Sequence, residues 1–334
     1  MKKITVIGNT TWGFTLSFLI SENIEHVTIL TRSVEEKDLV NQTRTHHNLS
    51  KTMKLPLNVN ADNNVSKNIK ESNALILAVP SHTLLNNLIE IKDYLGSETF
   101  IISATKGITS KGLRMSELIN TSLPNFPKEK IGVLSGPNLA YEISQGLPSI
   151  STVAFENINF SNYIRDSLSS NNFRIYSGTD LIGTELGGAL KNIIAIGAGI
   201  IDGLNLGINA KSAFVTRGLY EITKLGISLG AKASTFAGSS GMGDLITSCF
   251  GSLSRNWKLG VALSQGLSVE KFMKQSKLTV EGVQTTLAAV KLGKKYNINI
   301  PITATTAKVL NQEISIDLAI KELMNRDLTE EWTD

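Results

Sequence analysis

Short runs of consecutive apolar residues recur through the first half of the chain. The first lies between Lys3 and Gly8 and the second between Val27 and Arg32, with a longer apolar segment, Trp12 to Ile20, between them. Apolar runs of strand length are typical of strands buried on both faces of a parallel sheet, and the longer segment has the length of a helix. Strand, glycine turn, helix and strand together predict the first unit of a dinucleotide-binding sheet.

Further apolar runs follow, and the first three of them lead into polar or glycine-bearing turns. They span residues 74–79, 100–103, 131–134, 149–155 and 173–177. In doubly wound folds ligands bind beyond the carboxyl ends of the strands. We therefore expect Lys106, which follows the run 100–103, and Gly136 and Asn138, which follow the run 131–134, to point toward one crevice.

The pattern changes near residue 180. From Asp180 onward helical periods and glycine stops recur without a convincing strand, which predicts a helical second half. The expected architecture is an α/β Rossmann-type dinucleotide-binding domain over residues 1–180 and an all-α substrate-binding and catalytic domain over 181–334. Residues 41–68 are polar and irregular, and we interpret them as a loop that carries the adjacent His46 and His47.

One lysine interrupts the apolar helix predicted over residues 184–198. Five positions spaced three, four or seven residues from Lys191 hold small side chains, namely Thr184, Gly187, Gly188, Ala195 and Ala198, so this side of the helix admits a close approach. One interpretation is helix packing through the glycines, with Lys191 reaching water at the edge. The other is a buried amine with a partner or a lowered pKa, which makes Lys191 a candidate general acid or base.

Composition and charge narrow the class of protein. The chain has 334 residues, 41% hydrophobic and 19% charged, which suits a globular protein of two domains. Its net charge of +4 is spread along the chain, without the basic stripe that nucleic-acid binding requires. The single cysteine, Cys249, excludes an internal disulfide and fits a reducing compartment. No histidine follows His82, so Cys249 has no imidazole in the second half to activate it.

The sequence lacks the patterns of a secretion signal, a membrane span and a metal site. Asn9, Thr10 and Thr11 interrupt the apolar start, and no small-residue cleavage pattern follows, so we read no secretion signal and expect a cytoplasmic protein. The uninterrupted apolar stretches are shorter than a bilayer span. No group of residues has metal-ligand spacing, and no metal is predicted.

The dinucleotide fingerprint is incomplete. Gly8 and Gly13 hold its first and third glycine positions, whereas Thr10 holds the middle one and brings a Cβ to the place where backbone should approach phosphate. Arg32 ends the second strand where NAD-preferring folds usually place a carboxylate, and an arginine favours the 2′-phosphate of NADP. A solvated strand-end arginine is the alternative. We therefore expect NADP or NAD as a co-substrate, leaning to NADPH.

Taken with its two-part organisation, the sequence resembles bacterial-type NAD(P)-dependent glycerol-3-phosphate dehydrogenase over essentially its whole length. The resemblance is carried by several blocks in the order of that family: residues 103–107, 135–137, 185–192, 209–211, 216–219, 241–245, 254–256 and 280–282. It implies NAD(P)H-dependent, reversible reduction of dihydroxyacetone phosphate to sn-glycerol 3-phosphate, which supplies the glycerol backbone of phospholipids. It also implies a homodimer.

The resemblance implies a role for each matching residue. Lys191 matches the catalytic proton donor and acceptor and also a substrate contact. The other substrate contacts implied are Lys106, Gly136, Asn138, Asp244, Ser254, Arg255 and Asn256. The cofactor contacts implied are Thr11, Trp12, Arg32, Lys106, Ala140, Arg255, Thr279 and Glu281, with Gly8 and Gly13 forming the turn. The chain departs from the family at two places. It has Thr10 where the family has glycine, and Asn138-Leu139 where the family has Ser-Phe.

The residues themselves suit this chemistry. Ketone reduction needs a proton for the oxygen that becomes an alkoxide, and burial together with the cations Lys106 and Arg255 would lower the pKa of Lys191 toward neutrality. Asp244 could hold Lys191 or a substrate hydroxyl, although it also reads as a helix N-cap. Ser254 is a good N-cap for a helix whose amides favour phosphate, and Arg255 adds a bidentate fork.

Two other functions remain open at this level. One is a reductase built from the same two halves that acts on a hydroxy acid or an acyl thioester, although the histidine of a His-Glu pair is absent from the second half. The other is a cofactor-binding regulator without catalysis, which Thr10 alone favours. The sequence leaves open the preference for NAD or NADP, the favoured direction, feedback inhibition and assembly.

Overall fold

The computed structural model describes residues 1–276, 279–328 and 330–331. Its first half is one eight-stranded sheet with the order β3-β2-β1-β4-β5-β6-β7-β8. The strands are β1 Lys3–Ile7, β2 His26–Leu30, β3 Val59–Asp62, β4 Ala74–Leu77, β5 Phe100–Ser103, β6 Ile131–Ser135, β7 Ser149–Ala154 and β8 Phe173–Gly178. Neighbouring strands are parallel except β6 and β7, which pair antiparallel. The predicted doubly wound sheet is confirmed.

Seven helices connect these strands: α1 Thr11–Ile20, α2 Val34–Thr43, α3 Val65–Glu71, α4 Leu84–Ile91, α5 Met115–Ser122, α6 Ala140–Ser144 and α7 Ile158–Leu168. Apolar side chains of the strands lie between the helices on the two faces of the sheet, in two buried clusters. Burial on both faces explains why the strands read as continuous apolar runs and not as alternating ones.

The interpretation of residues 41–68 as an irregular loop is wrong in part. The segment holds the end of α2, the edge strand β3 and the start of α3. In β3 only Val59 and Ala61 are buried, because an edge strand of four residues is covered on one face. Such a short polar alternation is a weak signal in sequence. His46 is not a surface decoration, since its ring packs against Phe14 with centroids 5.5 Å apart.

The second half is helical in the part that the structure describes, as predicted. Its helices are α8 Leu181–Gly203, α9 Gly207–Ser228, α10 Ala233–Phe236, α11 Asp244–Phe250, α12 Arg255–Ser264, α13 Val269–Ser276, α14 Glu281–Lys295, α15 Pro301–Leu310 and α16 Ile316–Met324. A π-helical turn, Ser239–Gly243, leads into α11. Asp180 caps α8 by accepting from the amide of Gly183 at 2.9 Å.

The central helix α8 is enclosed by α9, α11, α12 and α14 and also contacts β6. Its length and mean hydropathy of 1.3 would suit a membrane span, although the uninterrupted apolar runs in the sequence are shorter than a bilayer span. However, 89% of its apolar stretch is buried inside the protein. No other described helix is long and apolar enough for a span. This helix is therefore the core of the helical half.

A buried carboxylate fixes α8 against the sheet half. Glu185 accepts hydrogen bonds from the amide of Ser116 at 2.7 Å, from its hydroxyl at 2.5 Å and from the guanidinium of Arg114 at 2.5 Å. Burial raises the pKa of Glu185, while Arg114 and Ser116 oppose that shift. Removing one partner of such a buried pair is strongly destabilising. The start of α5 is thereby held to the first turns of α8.

Candidate active site between the sheet and the helical half

Lys191 lies in the middle of α8 and is 7% exposed, so its amine does not reach bulk water. Its Nζ donates to Oδ1 of Asp244, the first residue of α11, and to Oγ of Ser248 at 2.6 Å. Asp244 and Ser248 stand four residues apart and thus share one face of α11. The amine is therefore buried and paired, as one of the two interpretations of the sequence required.

A second lysine reaches the same carboxylate from the sheet half. Nζ of Lys106, in the loop after β5, donates to Oδ2 of Asp244 at 2.6 Å and to the carbonyl oxygen of Gly136 at 2.9 Å. Gly136 directly follows β6. One carboxylate thus lies between two ammonium groups, and the cluster carries a net positive charge at the edge where β5 and β6 end. Such a cluster favours an anionic ligand or a developing alkoxide.

The surroundings tune the acidity of Lys191. Burial lowers its pKa to about 8, the positive charge of Lys106 acts in the same direction, and Asp244 opposes both. An ordinary lysine holds its proton too tightly to donate it readily at neutral pH. A lysine with a pKa of about 8 can donate a proton and take one back near neutrality.

Glycines allow the close approach that brings Asp244 to Lys191. A Cβ on Gly187 would lie 2.6 Å from the carbonyl oxygen of Ser240, in the π-helical turn that precedes Asp244. A Cβ on Gly188 would overlap the hydroxyl of Ser135 at the end of β6. The glycines of α8 therefore serve close packing, and the packing positions the lysine. The glycine packing of the first interpretation is therefore present, but its expectation that Lys191 reaches water at the edge is wrong.

Ser248 is a site residue that was not predicted from the sequence, although its spacing of four residues from Asp244 was an available signal. Next to it, the Cys249 thiol is fully buried, and burial raises its pKa to about 12. A thiol with such a pKa is a poor nucleophile.

The start of α12 offers a third positive group, after Lys191 and Lys106. Ser254 caps the helix by accepting from the amide of Trp257 at 3.3 Å. The side chain of Arg255 makes no hydrogen bond or close ion pair with the described residues and remains accessible. Even so, the protein around the guanidinium lowers its pKa, and Glu281 opposes this shift. Arg255 is therefore available to an anion in the cleft.

Asn256 points the other way and joins three helices. Its Nδ2 donates to Oδ1 of Asn192 on α8 at 2.8 Å, and its Oδ1 accepts from the amide of Gly282 on α14 at 2.9 Å. The residue is buried. This bridge holds the start of α14 beside the start of α12, and so beside Arg255.

Glu281, the first residue of α14, reaches across to the sheet half. Its carboxylate accepts from the amide of Ser81 at 3.0 Å and from the hydroxyl of the same serine, in the turn after β4. Thr279 lies two residues before it. Ser81 was not singled out in the sequence, because a contact over 200 residues leaves no local signal.

Asn138 is engaged by β7. Its Nδ2 donates to Oγ of Ser149 at 2.8 Å and to the carbonyl oxygen of Ile150 at 2.9 Å, and its Oδ1 accepts from Ser151 at 2.8 Å. Gly136 lies close to the same strand, since a Cβ there would be 2.6 Å from the Ile150 oxygen. Ala140 opens α6 just beyond. The loop after β6 is thus fixed in place.

The turn after β1 has the shape that a dinucleotide requires. Gly8 has φ +111°, a conformation that favours glycine, and a Cβ on Gly13 would overlap the carbonyl oxygen of Gly8. Thr10 caps α1: its hydroxyl accepts from the amide of Gly13 at 3.0 Å and donates to the Ala78 oxygen at 2.8 Å. The amides of Thr11 and Trp12 have no acceptor among the described residues, so they can meet a phosphate.

Arg32 follows β2 with an exposed side chain. It lies on the same edge as the turn after β1, because β1 and β2 pair in parallel. Among the described residues, no three His, Cys, Asp or Glu side chains are grouped in a way that could hold a metal ion.

Two family models match this chain. NAD-dependent glycerol-3-phosphate dehydrogenase N-terminus matches residues 3–161, and NAD-dependent glycerol-3-phosphate dehydrogenase C-terminus matches residues 180–321. A glycerol-3-phosphate dehydrogenase [NAD(P)+] from Bacillus pumilus is 38% identical over 335 residues, covering 100% of this chain and 97% of the relative. The corresponding protein from Clostridium botulinum is 38% identical over 330 residues, covering 98% of each.

Among solved structures, glycerol-3-phosphate dehydrogenase from Coxiella burnetii superposes with a TM-score of 0.90. It is 29% identical and the match covers 97% of this chain and 99% of that one. The similarity in sequence and in structure thus extends over both halves of the chain.

Proposed function

The chain belongs to the NAD-dependent glycerol-3-phosphate dehydrogenase family, and we propose that it reduces dihydroxyacetone phosphate with Lys191 as the proton donor. The reaction of this family is the NAD(P)H-dependent reduction of dihydroxyacetone phosphate to sn-glycerol 3-phosphate. The observation that carries the role of Lys191 is its buried ion pair with Asp244, next to Lys106, which leaves the pKa of Lys191 at about 8.

The nicotinamide supplies the hydride when it is bound, and the protein must manage the charge on oxygen. Carbonyl reduction turns the ketone oxygen into an alkoxide, and the Lys191 ammonium can stabilise that charge and then donate its proton. In the reverse direction the neutral amine accepts the proton of the hydroxyl group. Asp244 holds the amine in place, and Lys106 keeps its pKa low.

The phosphate end of the substrate fits the start of α12. Arg255 offers a guanidinium that no described residue occupies, and the helix start adds amide hydrogens and its positive dipole end. We assign phosphate binding to Arg255 with Ser254 as the cap of that helix. Asn256 acts there by fixing α12 against α8 and α14, and we assign Gly136 and Asn138, in the loop after β6, to the same substrate site.

The cofactor would lie along the edge from β2 to β6. Gly8 and Gly13 shape the turn, Thr11 and Trp12 present amides to the pyrophosphate, and Arg32 stands at the adenosine end. Toward the nicotinamide end we assign Lys106, Ala140, Arg255, Thr279 and Glu281. The glycine turn and the two amides without acceptors fit a dinucleotide.

The remaining assignments concern the protein as a whole. We propose that residues 1–180 bind the cofactor and residues 181–334 carry the catalytic lysine and the phosphate site. We further propose a cytoplasmic homodimer that supplies glycerol phosphate for phospholipid synthesis. The division near residue 180 is supported by the last strand ending at Gly178 and α8 beginning at Leu181.

One assay tests the function. Purified protein should oxidise NADPH or NADH only when dihydroxyacetone phosphate is added, and should reduce the nucleotide when sn-glycerol 3-phosphate is added. Nucleotide binding without turnover would point to a regulator. Oxidation with a 2-keto acid or an acyl thioester in place of the triose phosphate would point to the other reductase class.

A further inference from the structure

The carboxylate of Glu36 bridges the carboxyl ends of β1 and β2. Its Oε1 accepts from Nδ2 of Asn9, in the turn after β1, at 3.0 Å. Its Oε2 accepts from the main-chain amide of Arg32, just after β2, at 2.9 Å. Because Ile7 pairs with Leu30, Asn9 and Arg32 each lie two residues beyond the paired ends. The carboxylate therefore stands at the edge of the sheet where an adenosine would lie.

Glu36 is held in this place from several sides. It is the third residue of α2, and its amide donates to the capping hydroxyl of Ser33 at 3.2 Å. Asn9 turns its amino group to the carboxylate, while its own Oδ1 is buried with no partner among the described residues. The environment thus fixes a hydrogen-bond acceptor at this position.

The cation beside it is not neutralised. The Arg32 side chain is exposed and forms no ion pair with Glu36 or with any other described residue. Each carboxylate oxygen of Glu36 accepts one hydrogen bond in the structure and can accept another. A positive group and a negative group are therefore both available to a ligand at the end of β2.

In dinucleotide-binding folds a carboxylate at this strand end accepts from the 2′-hydroxyl of NAD, whereas an arginine takes the 2′-phosphate of NADP. Here the strand ends in arginine and α2 supplies the carboxylate. We propose that Glu36 is a specificity-determining residue that favours NADH and disfavours NADPH, in opposition to Arg32. The proposal deepens the cofactor site assigned above and rests on it.

The physical basis is charge. A 2′-phosphate brought to this edge gains from Arg32 but is repelled by the fixed carboxylate, so the penalty falls on NADPH alone. A 2′-hydroxyl can donate to the same carboxylate and gains from it. The two residues together form a site that accepts both NADH and NADPH. Arg32 favours NADPH, and Glu36 limits that preference.

The test compares matched variants by the ratio of kcat/KM for NADPH to that for NADH. Glu36→Gln removes the charge and keeps the size, and it should raise the ratio about tenfold. Arg32→Gln should lower it by a similar factor. Glu35→Gln removes the same charge one residue earlier, from an exposed position in the first turn of α2, and should leave the ratio unchanged.

A binding measurement separates specificity from a merely structural role. Trp12 lies at the start of α1 and should report the binding of AMP and of adenosine 2′,5′-bisphosphate by its fluorescence. Glu36→Gln should tighten the bisphosphate and weaken AMP. Equal weakening of both ligands with a lower Tm would assign Glu36 to capping alone and overturn the proposal, as would an unchanged ratio. Failure of the function itself would look different, because the unmodified protein would then oxidise neither nucleotide with dihydroxyacetone phosphate.

Discussion

Lys191 on α8 and Asp244 on α11 form an ion pair in which both side chains are less than 10% exposed. Asp244 divides its two oxygens between this lysine and Lys106. Burial of an ammonium costs free energy that a single shared carboxylate offsets only in part. The pair therefore holds Lys191 in place and still leaves its proton easier to lose than that of an exposed lysine.

Replacing this amine should stop the chemistry and spare the fold. We expect Lys191→Met to lower kcat by roughly 10² to 10⁴, the usual contribution of a positioned general acid. Asp244 keeps Lys106 as its partner in the variant, so the protein should remain folded by circular dichroism. Cofactor binding, followed by Trp12 fluorescence, should stay within about twofold of the wild type because the dinucleotide turn is not touched.

Lys224→Met is the matched control, since Lys224 is a lysine on α9 whose Nζ lies 5.9 Å from the centre of the Tyr220 ring and which takes no part in the ion pairs of Asp244. It should turn over normally. A Lys191→Met enzyme with normal kcat would remove Lys191 from the proton-transfer step.

The rate of reduction should fall with rising pH. Lys191 must carry its proton to reduce the ketone, and its pKa is lowered to about 8, so kcat/KM for dihydroxyacetone phosphate should decline as the pH passes upward through about 8. Oxidation of sn-glycerol 3-phosphate needs the neutral amine and should rise through the same pH. The check is a pair of pH profiles, one in each direction; parallel profiles would contradict the assignment.

Asp244 sets the position of that transition. Because the carboxylate raises the pKa of Lys191, Asp244→Asn should move the pH profiles of both directions to lower pH. It should also reduce the rate of ketone reduction at neutral pH. Lys106→Met should move them to higher pH, since the positive charge of Lys106 lowers the pKa. The measured quantity is the midpoint of the profile, which distinguishes these shifts from the loss of substrate binding that either change can also cause. Shifts in one common direction would refute the charge argument.

The sequence predicted what local patterns encode. Buried strands, the glycine turn and a lysine inside an apolar helix all leave signals within a few residues, and each was found. The sharing of Asp244 between Lys106 and Lys191 was not predicted, because it joins residues from three separate elements. Likewise, β3 was missed because four residues at a sheet edge, half of them polar, resemble a loop.

The directions in which side chains point also could not be predicted from the sequence. Ser254, Arg255 and Asn256 are consecutive, yet one caps a helix, one stays accessible and one turns into the core. Which of them faces the cleft depends on how α12 packs on α8 and α14, through Asn192 and Gly282. The sequence could identify residues 254–256 as a candidate site segment, but it could not assign a separate role to each of them.

Arg255 should act on the substrate through its phosphate group. Arg255→Gln removes a charge-assisted interaction worth about 2 kcal/mol, so kcat/KM for dihydroxyacetone phosphate should fall roughly 30-fold. At saturating nucleotide, which masks the cofactor contact also assigned to Arg255, the variant and the wild type should turn over unphosphorylated dihydroxyacetone equally. Lys258→Gln, which removes an exposed cation three residues later on α12, should have little effect on either substrate. Equal losses on both substrates would place Arg255 away from the phosphate.

Replacing Thr10 with glycine should lower the stability of the protein and raise its affinity for the cofactor. Its hydroxyl caps α1 and binds Ala78, and the cap occupies the amide of Gly13. Thr10→Gly frees that amide and removes the Cβ, so we expect tighter NADPH binding together with a loss of about 1 kcal/mol in the free energy of unfolding.

Two further variants separate these effects. Thr10→Ala frees the amide but keeps the Cβ, and Thr10→Ser keeps the cap. If the amide limits affinity, Gly and Ala should both tighten binding; if the Cβ does, only Gly should. Titration by Trp12 fluorescence with parallel urea unfolding measures both quantities, and unchanged affinity in all three variants would show that Thr10 is a structural cap without influence on the cofactor.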